Sequence, residues 1–325
     1  MQTRIGFVGT GVIANRHLGV LLGFEDVRVV AAADPQEDRV RSFSDRCGAT
    51  AYTDPKEMLA HESLDALYIC VPPFAHGAPE ATALAQGIPF FVEKPLAVDL
   101  ETAEEIAHQV EERALTTAAG YHWRYLNIVE RAQELLRERP ARLVQGYWLD
   151  FTPPPAWWTT AALSGGQLVE QTTHIFDLAR LLVGEVTEVY AAGSRLERTA
   201  FPGADIDDAS AVMLQFESGA VGTIASTCLL NWPHRIGLHL FSEGMAIELS
   251  EFELKVDVGQ GRPVQCAEGD PFAREDRDFI DAVQGKPNRI RAPYAEALRT
   301  HRVAVTAGRS AREGRPLVVP GEGGA

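Results

Sequence analysis

The chain has few cysteines and no long apolar run, and each of these shortages excludes a class of protein. The spacing of its four cysteines fits neither a disulfide scaffold nor a zinc site: Cys47, Cys70, Cys228 and Cys266. No apolar stretch approaches the roughly 18 residues that a membrane span requires. No basic segment followed by an apolar core begins the sequence, so we expect no signal peptide. We therefore expect a cytoplasmic protein with reduced thiols, no metal site and no membrane partner.

Positive charge is also scarce. The chain carries 30 Lys and Arg against 45 Asp and Glu, a formal net charge of −15, and has no basic run. Such a surface repels nucleic-acid phosphates, so we expect no nucleic-acid partner. A length of 325 residues with 46% hydrophobic residues suggests two globular domains, at about 150 residues per domain.

The first 120 residues alternate short apolar segments with helix-like segments. Strands are expected at Arg4–Gly9, Val27–Ala33, Ala66–Val71, Pro89–Val92 and Thr116–Ala119. Helices are expected between them, at Val12–Gly23, Pro35–Arg46, Ala75–Gln86 and Leu100–Arg113. This alternation predicts a parallel sheet with right-handed crossovers and helices on both faces.

The pattern changes after residue 121. Long alternating segments, with hairpin turns at Ser218-Gly219 and Glu243-Gly244, predict an antiparallel sheet. Its strands are expected at Arg142–Phe151, Thr187–Glu197, Ala209–Glu217, Ala220–Leu230, Ile236–Ser242, Ala246–Leu249 and Glu253–Val258. Helices are expected at Tyr125–Glu138, Gln167–Leu182, Pro271–Gln284 and Tyr294–Arg312. We predict two domains: residues 1–121 bind a dinucleotide, and residues 122–325 bind substrate and mediate oligomerisation.

A glycine-rich turn follows the first predicted strand. Residues 9–14, Gly-Thr-Gly-Val-Ile-Ala, fit the dinucleotide fingerprint G-x-G-x-x-A between a strand and a helix. Gly9 permits the tight turn, and Gly11 lets the backbone approach a diphosphate. Val12 and Ile13 open the helix whose amides face that anion, and Ala14 allows close packing of the helix on the sheet.

Asp34 ends the second strand about 20 residues later, where a carboxylate binds the ribose 2′-hydroxyl. It favours NAD, because a carboxylate repels the 2′-phosphate of NADP. Arg39 and Arg41 lie nearby in the next helix and leave room for NADP. The alternative is an ordinary turn aspartate before Pro35.

A Glu-Lys-Pro segment ends the strand near residue 92. Lysine makes up only four of the 30 basic residues, and Lys94 follows Glu93 at the strand end where open α/β sheets bind ligands. A compact ammonium of adjustable pKa suits charge stabilisation or proton transfer at a substrate oxygen. The alternative is a solvated lysine at a strand end.

These motifs together resemble the Gfo/Idh/MocA family of oxidoreductases. The resemblance rests on Gly9–Ala14, Asp34, Cys70–His76, Glu93–Pro95 and the Ser164–His174 segment with Phe176 and Asp177. It implies an α/β fold, with an N-terminal Rossmann domain and a C-terminal α+β domain whose open sheet is mainly antiparallel. It also implies a homodimer or homotetramer formed through that sheet. The positions that line the cofactor are then Val71, Pro72, His76, Glu93 and Lys94.

Glu170 and His174 are spaced i, i+4 on the predicted helix Gln167–Leu182, with Asp177 continuing the same face. A carboxylate that orients an imidazole suits a general base. An exposed surface pair and a metal site are the alternatives, although no third ligand is evident. The resemblance implies that the positions of Lys94, Glu170 and His174 form the catalytic set. The family usually has Asp at the Glu170 position and Gly at the Thr172 position.

The resemblance further implies hydride transfer between nicotinamide and a secondary alcohol of a sugar, polyol or cyclitol. His122, Arg124, Trp157 and Trp232 are the candidate substrate residues, because aromatic faces suit the C–H surfaces of such rings. Each tryptophan has a buried structural anchor as its alternative. Two other functions remain open: a redox-assisted, NAD-dependent glycoside hydrolase or lyase, and a non-catalytic NAD-binding sensor.

Overall fold

The computed structural model describes residues 2–321, which form two compact units. Unit 1 contains the chain up to Ala97, then Glu101–His122 and Asp270–Leu298. Unit 2 contains Val98–Leu100, Trp123–Gly269 and the chain from Arg299. The sequence predicts one boundary after residue 121, whereas unit 1 also includes a segment from the C-terminal third of the chain. Within residues 2–321, no helix combines the length and apolarity needed to cross a membrane.

Unit 1 is built on a parallel sheet of six strands in the order β3-β2-β1-β4-β5-β6. The strands are β1 (Thr3–Val8), β2 (Val27–Ala33), β3 (Thr50–Tyr52), β4 (Ala66–Ile69), β5 (Phe90–Val92) and β6 (Thr117–Ala119). This confirms the predicted Rossmann sheet. The strand order reverses between β1 and β4, so a crevice opens at the carboxyl ends of these strands. The short β3 was not predicted, because its three residues carry no apolar pattern.

Helices cover both faces of this sheet. They are α1 (Val12–Leu21), α2 (Glu37–Asp45), α3 (Pro55–His61), α4 (Ala78–Gln86) and α5 (Leu100–Arg113). One apolar core includes Leu18 and Val40 from α1 and α2, and the other includes Leu84 and Ile106 from α4 and α5. Apolar burial on both faces is what the parallel strands require.

Unit 2 is built on an open sheet of nine strands in the order β14-β13-β12-β11-β7-β10-β9-β8-β15. All neighbouring pairs are antiparallel except β7 and β10, which confirms the mainly antiparallel prediction. The strands are β7 (Leu143–Phe151), β8 (Val186–Ser194), β9 (Ala209–Phe216), β10 (Val221–Leu230), β11 (Arg235–Ser242), β12 (Met245–Leu249), β13 (Glu253–Asp257), β14 (Val264–Cys266) and β15 (Leu317–Val318).

Four helices of unit 2 precede β8. They are α6 (Asn127–Glu138), α7 (Ala161–Ser164), α8 (Gln167–Glu170) and α9 (Thr173–Val183). Side chains from α6 and α9 share one apolar core with one face of the sheet. On the other face, apolar side chains are 37% to 59% exposed at Leu143, Tyr190, Met213 and Val221. We call these four residues the open-face patch.

The predicted helix Gln167–Leu182 is wrong as a single element, because it is divided between α8 and α9. Gln171 and Thr172 form a turn between the two helices, and Gln171 departs from ideal helix geometry with φ −110° and ψ −53°. The Oγ1 of the buried Thr172 lies 2.8 Å from Ser226 Oγ on β10. Two adjacent β-branched threonines weaken the helix here, and the tertiary hydrogen bond holds the break. Glu170 and His174 therefore do not share one continuous helix face.

The chain returns to unit 1 through α10 (Pro271–Val283), and the unit boundary falls within α11 (Tyr294–Glu313). Phe279 and Ile280 are fully buried in the core on the α1 side of the sheet. Tyr294 and Ala297 are fully buried in the core on the other side. Residues 270–298 thus complete both cores of unit 1.

We predict that Phe279→Ala destabilises unit 1 by about 3–5 kcal/mol, because it leaves a cavity in a close-packed core. The measurement is urea denaturation followed by near-UV circular dichroism. Phe252→Ala is the matched control, since Phe252 is 74% exposed and should change stability by less than about 0.5 kcal/mol. Equal effects of the two changes would contradict the assignment of residues 270–298 to this core.

Candidate active site

The glycine-rich turn begins at a close approach between two strand ends. Gly9 has a φ of +86°, and a Cβ there would lie 2.3 Å from the carbonyl oxygen of Cys70, just after β4. Only glycine accommodates both the left-handed backbone and this contact. The turn therefore brings the start of α1 over the carboxyl edge of the sheet.

Gly11 occupies a different environment. It is the N-cap of α1, and a Cβ added to it would meet no atom within 4 Å. No side chain caps this helix, and no acidic residue lies in its first turn. Val12 is 93% exposed, whereas Ile13 packs partly against the core. The first-turn amides thus border open space, an arrangement that fits the diphosphate of a dinucleotide.

Asp34 lies beside this turn and is 4% exposed. Its Oδ2 accepts hydrogen bonds from Thr10 N (3.0 Å) and Thr10 Oγ1 (3.1 Å), and its Oδ1 accepts one from Gln36 N (2.9 Å). Arg39 NH1 lies 3.7 Å from Oδ2. Asp34 therefore has the turn role that the sequence left as an alternative, and its ribose contact remains a prediction.

The segment after β4 carries the next predicted cofactor residues. Val71 and Pro72 are half-buried and precede a short 3₁₀ turn, Pro73–Ala75. The side chain of His76 follows, with its Nδ1 2.6 Å from Glu80 Oε1. Because an ionised carboxylate only accepts, Nδ1 is the donor. The buried Nε2 has no hydrogen-bond partner among the described residues, so it can serve a polar group of a bound cofactor.

The Glu-Lys-Pro turn follows β5, whose carboxyl end lies on the same sheet edge as that of β4. Lys94 is half-buried and precedes a cis peptide bond to Pro95. The predicted cofactor residue Glu93 is 4% exposed and engaged within unit 1 instead. Its Oε1 lies 3.0 Å from Nε2 of His17, and its Oε2 accepts the Lys94 backbone N–H at 3.1 Å.

His17 is fully buried on α1, and its Nδ1 lies 2.8 Å from Asp276 Oδ1 on α10. Burial alone lowers the pKa of His17, but the charges and hydrogen bonds of Asp276 and Glu93 outweigh it and raise that pKa well above its usual value. Burial also raises the pKa of Asp276, and raises that of the neighbouring Glu275 well above its usual range.

In unit 2, His174 lies in the first turn of α9 and is 5% exposed. Its ring stacks on the indole of Trp148, with centroids 5.7 Å apart and planes at 17°. Trp148 lies on β7, where it pairs with Ser226 of β10. The buried Trp148 Nε1 has no hydrogen-bond partner in the part of the chain that the structure describes.

Glu170 ends α8, and its Oε2 accepts a hydrogen bond from Trp158 Nε1 at 2.8 Å. Trp158 is 1% exposed and packs with Ile206 and Cys228. It is thus the buried anchor of the tryptophan pair. The hydrogen bond holds Glu170 against the 3₁₀ turn Ala156–Thr159.

Arg124 and Asp177 form a buried ion pair in unit 2. Arg124 Nε and NH2 each lie 2.7 Å from an oxygen of Asp177, and Thr300 Oγ1 donates to Asp177 Oδ1 at 2.8 Å. Arg124 is 3% exposed. The bidentate pair joins the start of unit 2 to α9, so the structure gives Arg124 a structural role in place of the predicted substrate contact.

The other predicted substrate residues lie in different settings. Trp232 is 56% exposed in the turn between β10 and β11, and Trp157 packs partly against the Trp158 cluster. His122 ends a segment of unit 1, where its ring stacks on Phe272 with centroids 4.3 Å apart. Within the described residues, no group of three or more His, Cys, Asp and Glu side chains is arranged to hold a metal ion.

Three residues near these sites were missed in the sequence. Strand alternation from Val144 puts Trp148 on the helix-facing side, a signal that was available. His17 falls on the buried face of α1 with Ala14, Leu18 and Leu21, which is unusual for a histidine and was a further signal. No local pattern pairs Asp276 with a residue about 260 positions earlier.

Two family models match the sequence. One, described as an oxidoreductase family with an NAD-binding Rossmann fold, matches residues 3–121, and a GFO/IDH/MocA C-terminal domain matches residues 140–247. A myo-inositol 2-dehydrogenase of Thermotoga maritima is 30% identical over 68% of this chain and 67% of its own length. An inositol 2-dehydrogenase of Rhizobium meliloti is 26% identical over 98% of this chain and 100% of its own.

Among solved structures, a levoglucosan dehydrogenase in complex with NADH has the same fold. Its TM-score is 0.87 at 19% identity, covering 98% of this chain and 100% of that one. At this level of identity the similarity supports a shared fold only.

We predict that Gly9→Ala lowers the stability of the protein, whereas Gly11→Ala lowers its affinity for NAD. Gly9→Ala destabilises the protein by about 1–3 kcal/mol or more. The new Cβ would clash with the backbone carbonyl of Cys70, and the left-handed backbone of residue 9 is strained for any residue other than glycine. Gly11→Ala changes stability by less than about 1 kcal/mol. It weakens NAD binding roughly tenfold or more, because the methyl group fills the space beside the first-turn amides. Thermal unfolding and titration with NAD measure the two effects, and unchanged NAD affinity in Gly11→Ala would contradict the diphosphate site.

Proposed function

Since this chain belongs to the Gfo/Idh/MocA family of NAD-binding oxidoreductases, as its motifs predicted, we propose that it transfers a hydride between nicotinamide and a secondary alcohol. The proposed substrate is a sugar, polyol or cyclitol, the class to which the inositol named for the two relatives belongs. The observation that carries the proposal lies in unit 1. There the uncapped start of α1, the buried His76 Nε2 and Lys94 all follow strands that end at one edge of a parallel sheet.

The residues proposed to hold the dinucleotide fit its chemistry. Gly11 and the amides of Val12 and Ile13 would face the diphosphate, and Asp34 would accept a ribose hydroxyl in addition to its turn contacts. Arg39, 3.7 Å from Asp34, offsets part of its charge and leaves room for NADP. When bound, the nicotinamide supplies the hydride acceptor for alcohol oxidation.

The chain's own residues handle the proton and the oxygen. We assign His174 as the base that removes the hydroxyl proton, as the carbon of the same alcohol loses hydride and becomes a carbonyl. The Lys94 ammonium stabilises the charge that develops on the oxygen. Glu170, held by Trp158, is our proposed residue for orienting that base.

Trp157, Trp232 and His122 remain our proposed substrate residues, because their rings suit the C–H faces of a cyclic polyol. Trp148 joins them, since its buried Nε1 has no protein acceptor in the described chain and lies on the ring that stacks against His174. Arg124 is left out because Asp177 occupies its guanidinium.

We further propose that the protein is a cytoplasmic homodimer or homotetramer. Its four cysteines are free thiols, as a reducing compartment favours. The open-face patch supplies an apolar sheet surface of the kind that an interface between subunits buries.

We predict that His174→Ala lowers kcat by about 10²–10⁴-fold on a substrate from a sugar and inositol panel, because general-base catalysis is lost. NAD affinity should stay nearly unchanged. His108→Ala is the control, because its side chain is 71% exposed on α5. NADH formation measures turnover, and full activity of His174→Ala would remove this histidine from the chemistry.

Two other results would point to the alternatives. Bond cleavage without net NADH would indicate a redox-assisted hydrolase or lyase. NAD binding with no reaction across the whole panel would favour a sensor.

We predict that Met213→Asp combined with Val221→Asp separates the subunits, because two buried charges disfavour an apolar interface. Light scattering after size exclusion should give the mass of one chain. Leu196→Asp, at a residue 61% exposed in the loop after β8, is the control and should keep the wild-type mass. An unchanged mass for the double variant would place the interface elsewhere.

A further inference from the structure

We propose that His17 and Asp276 are positioning residues that fix the Glu93–Lys94 turn from beneath the sheet edge. The inference rests on the proposed function in one respect, namely that Lys94 is the lysine that acts on substrate. The contacts that carry it lie within unit 1 and involve no ligand.

The imidazole of His17 bridges two carboxylates. Its Nδ1 lies 2.8 Å from Asp276 Oδ1, and its Nε2 lies 3.0 Å from Glu93 Oε1. Each ring nitrogen thus lies within hydrogen-bond distance of a carboxylate oxygen, and the two acidic side chains raise the pKa of His17 well above its usual value, which favours a protonated ring that donates to both. Charged hydrogen bonds of this kind, in a fully buried site, hold their partners more tightly than neutral ones.

Glu93 passes this constraint to Lys94. Its second oxygen, Oε2, accepts the backbone N–H of Lys94 at 3.1 Å. The carboxylate also rests against Gly120 after β6, where a Cβ would lie 2.4 Å from Oε1. His17 on one side and the bare backbone of Gly120 on the other leave Glu93 one position. The backbone nitrogen of Lys94 is therefore held in place by the side chain of Glu93, which does not itself face substrate.

Asp276 anchors the other end of the bridge. It is fully buried on α10 and receives a second hydrogen bond from Tyr68 Oη at 3.2 Å. Aromatic rings enclose His17, with centroids 4.8 to 5.5 Å from its own, at Phe91, Tyr68 and Phe272. This enclosure prevents the imidazole from turning away from either carboxylate.

A positioning role explains why a charged cluster is kept in an apolar core. Buried ion pairs cost desolvation, and apolar residues of similar volume often stabilise a fold at least as well. Acidic side chains outnumber the single basic one here, since Glu275 is also fully buried beside Asp276. A contribution to stability alone therefore does not explain why this cluster is present. Its hydrogen bonds end on the one backbone N–H that belongs to the reactive lysine.

Two substitutions at His17 separate the two halves of the bridge. The amide nitrogen of Gln reaches about as far as Nε2, and that of Asn about as far as Nδ1. His17→Gln therefore keeps a donor toward Glu93 and loses the one toward Asp276, whereas His17→Asn does the reverse. Both remove the positive charge, so they form a matched pair.

We predict that His17→Asn lowers kcat by roughly 10- to 100-fold, because misplacing a catalytic group by about 1 Å costs rate of this order. KM and NAD affinity should stay within about threefold of wild type, and His17→Gln should keep kcat within the same range. His301→Asn is the structural control. His301 is fully buried in unit 2, where its Nε2 bonds the carbonyl of Asp99, and its loss should lower the melting temperature without lowering kcat.

A second measurement needs no turnover. Reductive ¹³C-methylation labels the chain's four lysines, and single Lys→Arg variants assign their NMR signals: Lys56, Lys94, Lys255 and Lys286. In His17→Asn the Lys94 signal should move while the other three stay in place. In His17→Gln all four should match wild type.

The positioning role would be overturned if the Lys94 signal shifted equally in both His17 variants, or if it shifted in neither. The same holds if kcat falls equally in both. The proposed function fails separately, if the wild-type protein oxidises no member of the panel. In that case the Lys94 signal still decides whether His17 holds the turn.

Discussion

The unit 1 site depends on the contact between Gly9 and the carbonyl of Cys70. Because no side chain separates them, the chain leaves β1 close to the end of β4 and α1 starts directly above the sheet edge. The same helix then carries His17 into the core one and a half turns later, where it meets Glu93 below β5. This one tight turn therefore determines where the anion-facing amides of α1 lie and where His17 supports the Glu93–Lys94 turn.

The sequence alone predicted the features that repeat locally. Apolar strands alternating with helices gave the Rossmann sheet, and paired turns gave the antiparallel sheet. It missed features that depend on distant partners. The hydrogen bond between Thr172 and Ser226 divides a helix that the sequence pattern predicts to be continuous. The ion pair with Asp177 occupies Arg124, which was a predicted substrate-binding residue. Helical periodicity around Pro271–Val283 is equally compatible with either unit, so only tertiary packing assigns it.

Charged groups in the two units are used in the same way. In unit 2 the Asp177 carboxylate holds Arg124 and Thr300, and in unit 1 the Asp276 carboxylate holds His17 and Tyr68. Each acidic side chain is fully buried on a helix and ties together segments far apart in sequence. A buried carboxylate oxygen is costly without hydrogen bonds, so each of these side chains favours the arrangement of neighbours that donates to it.

The split of unit 1 along the chain also has a consequence for biosynthesis. The first 121 residues leave the ribosome about 150 residues before Phe279 and Ile280 emerge. At ordinary elongation rates this interval lasts roughly 7–30 s. During it, the nascent sheet carries apolar surface that no other part of the emerged unit 1 segment covers, and His17 has no Asp276 to bond. Unit 1 can therefore complete its two cores only after residue 298 has been translated.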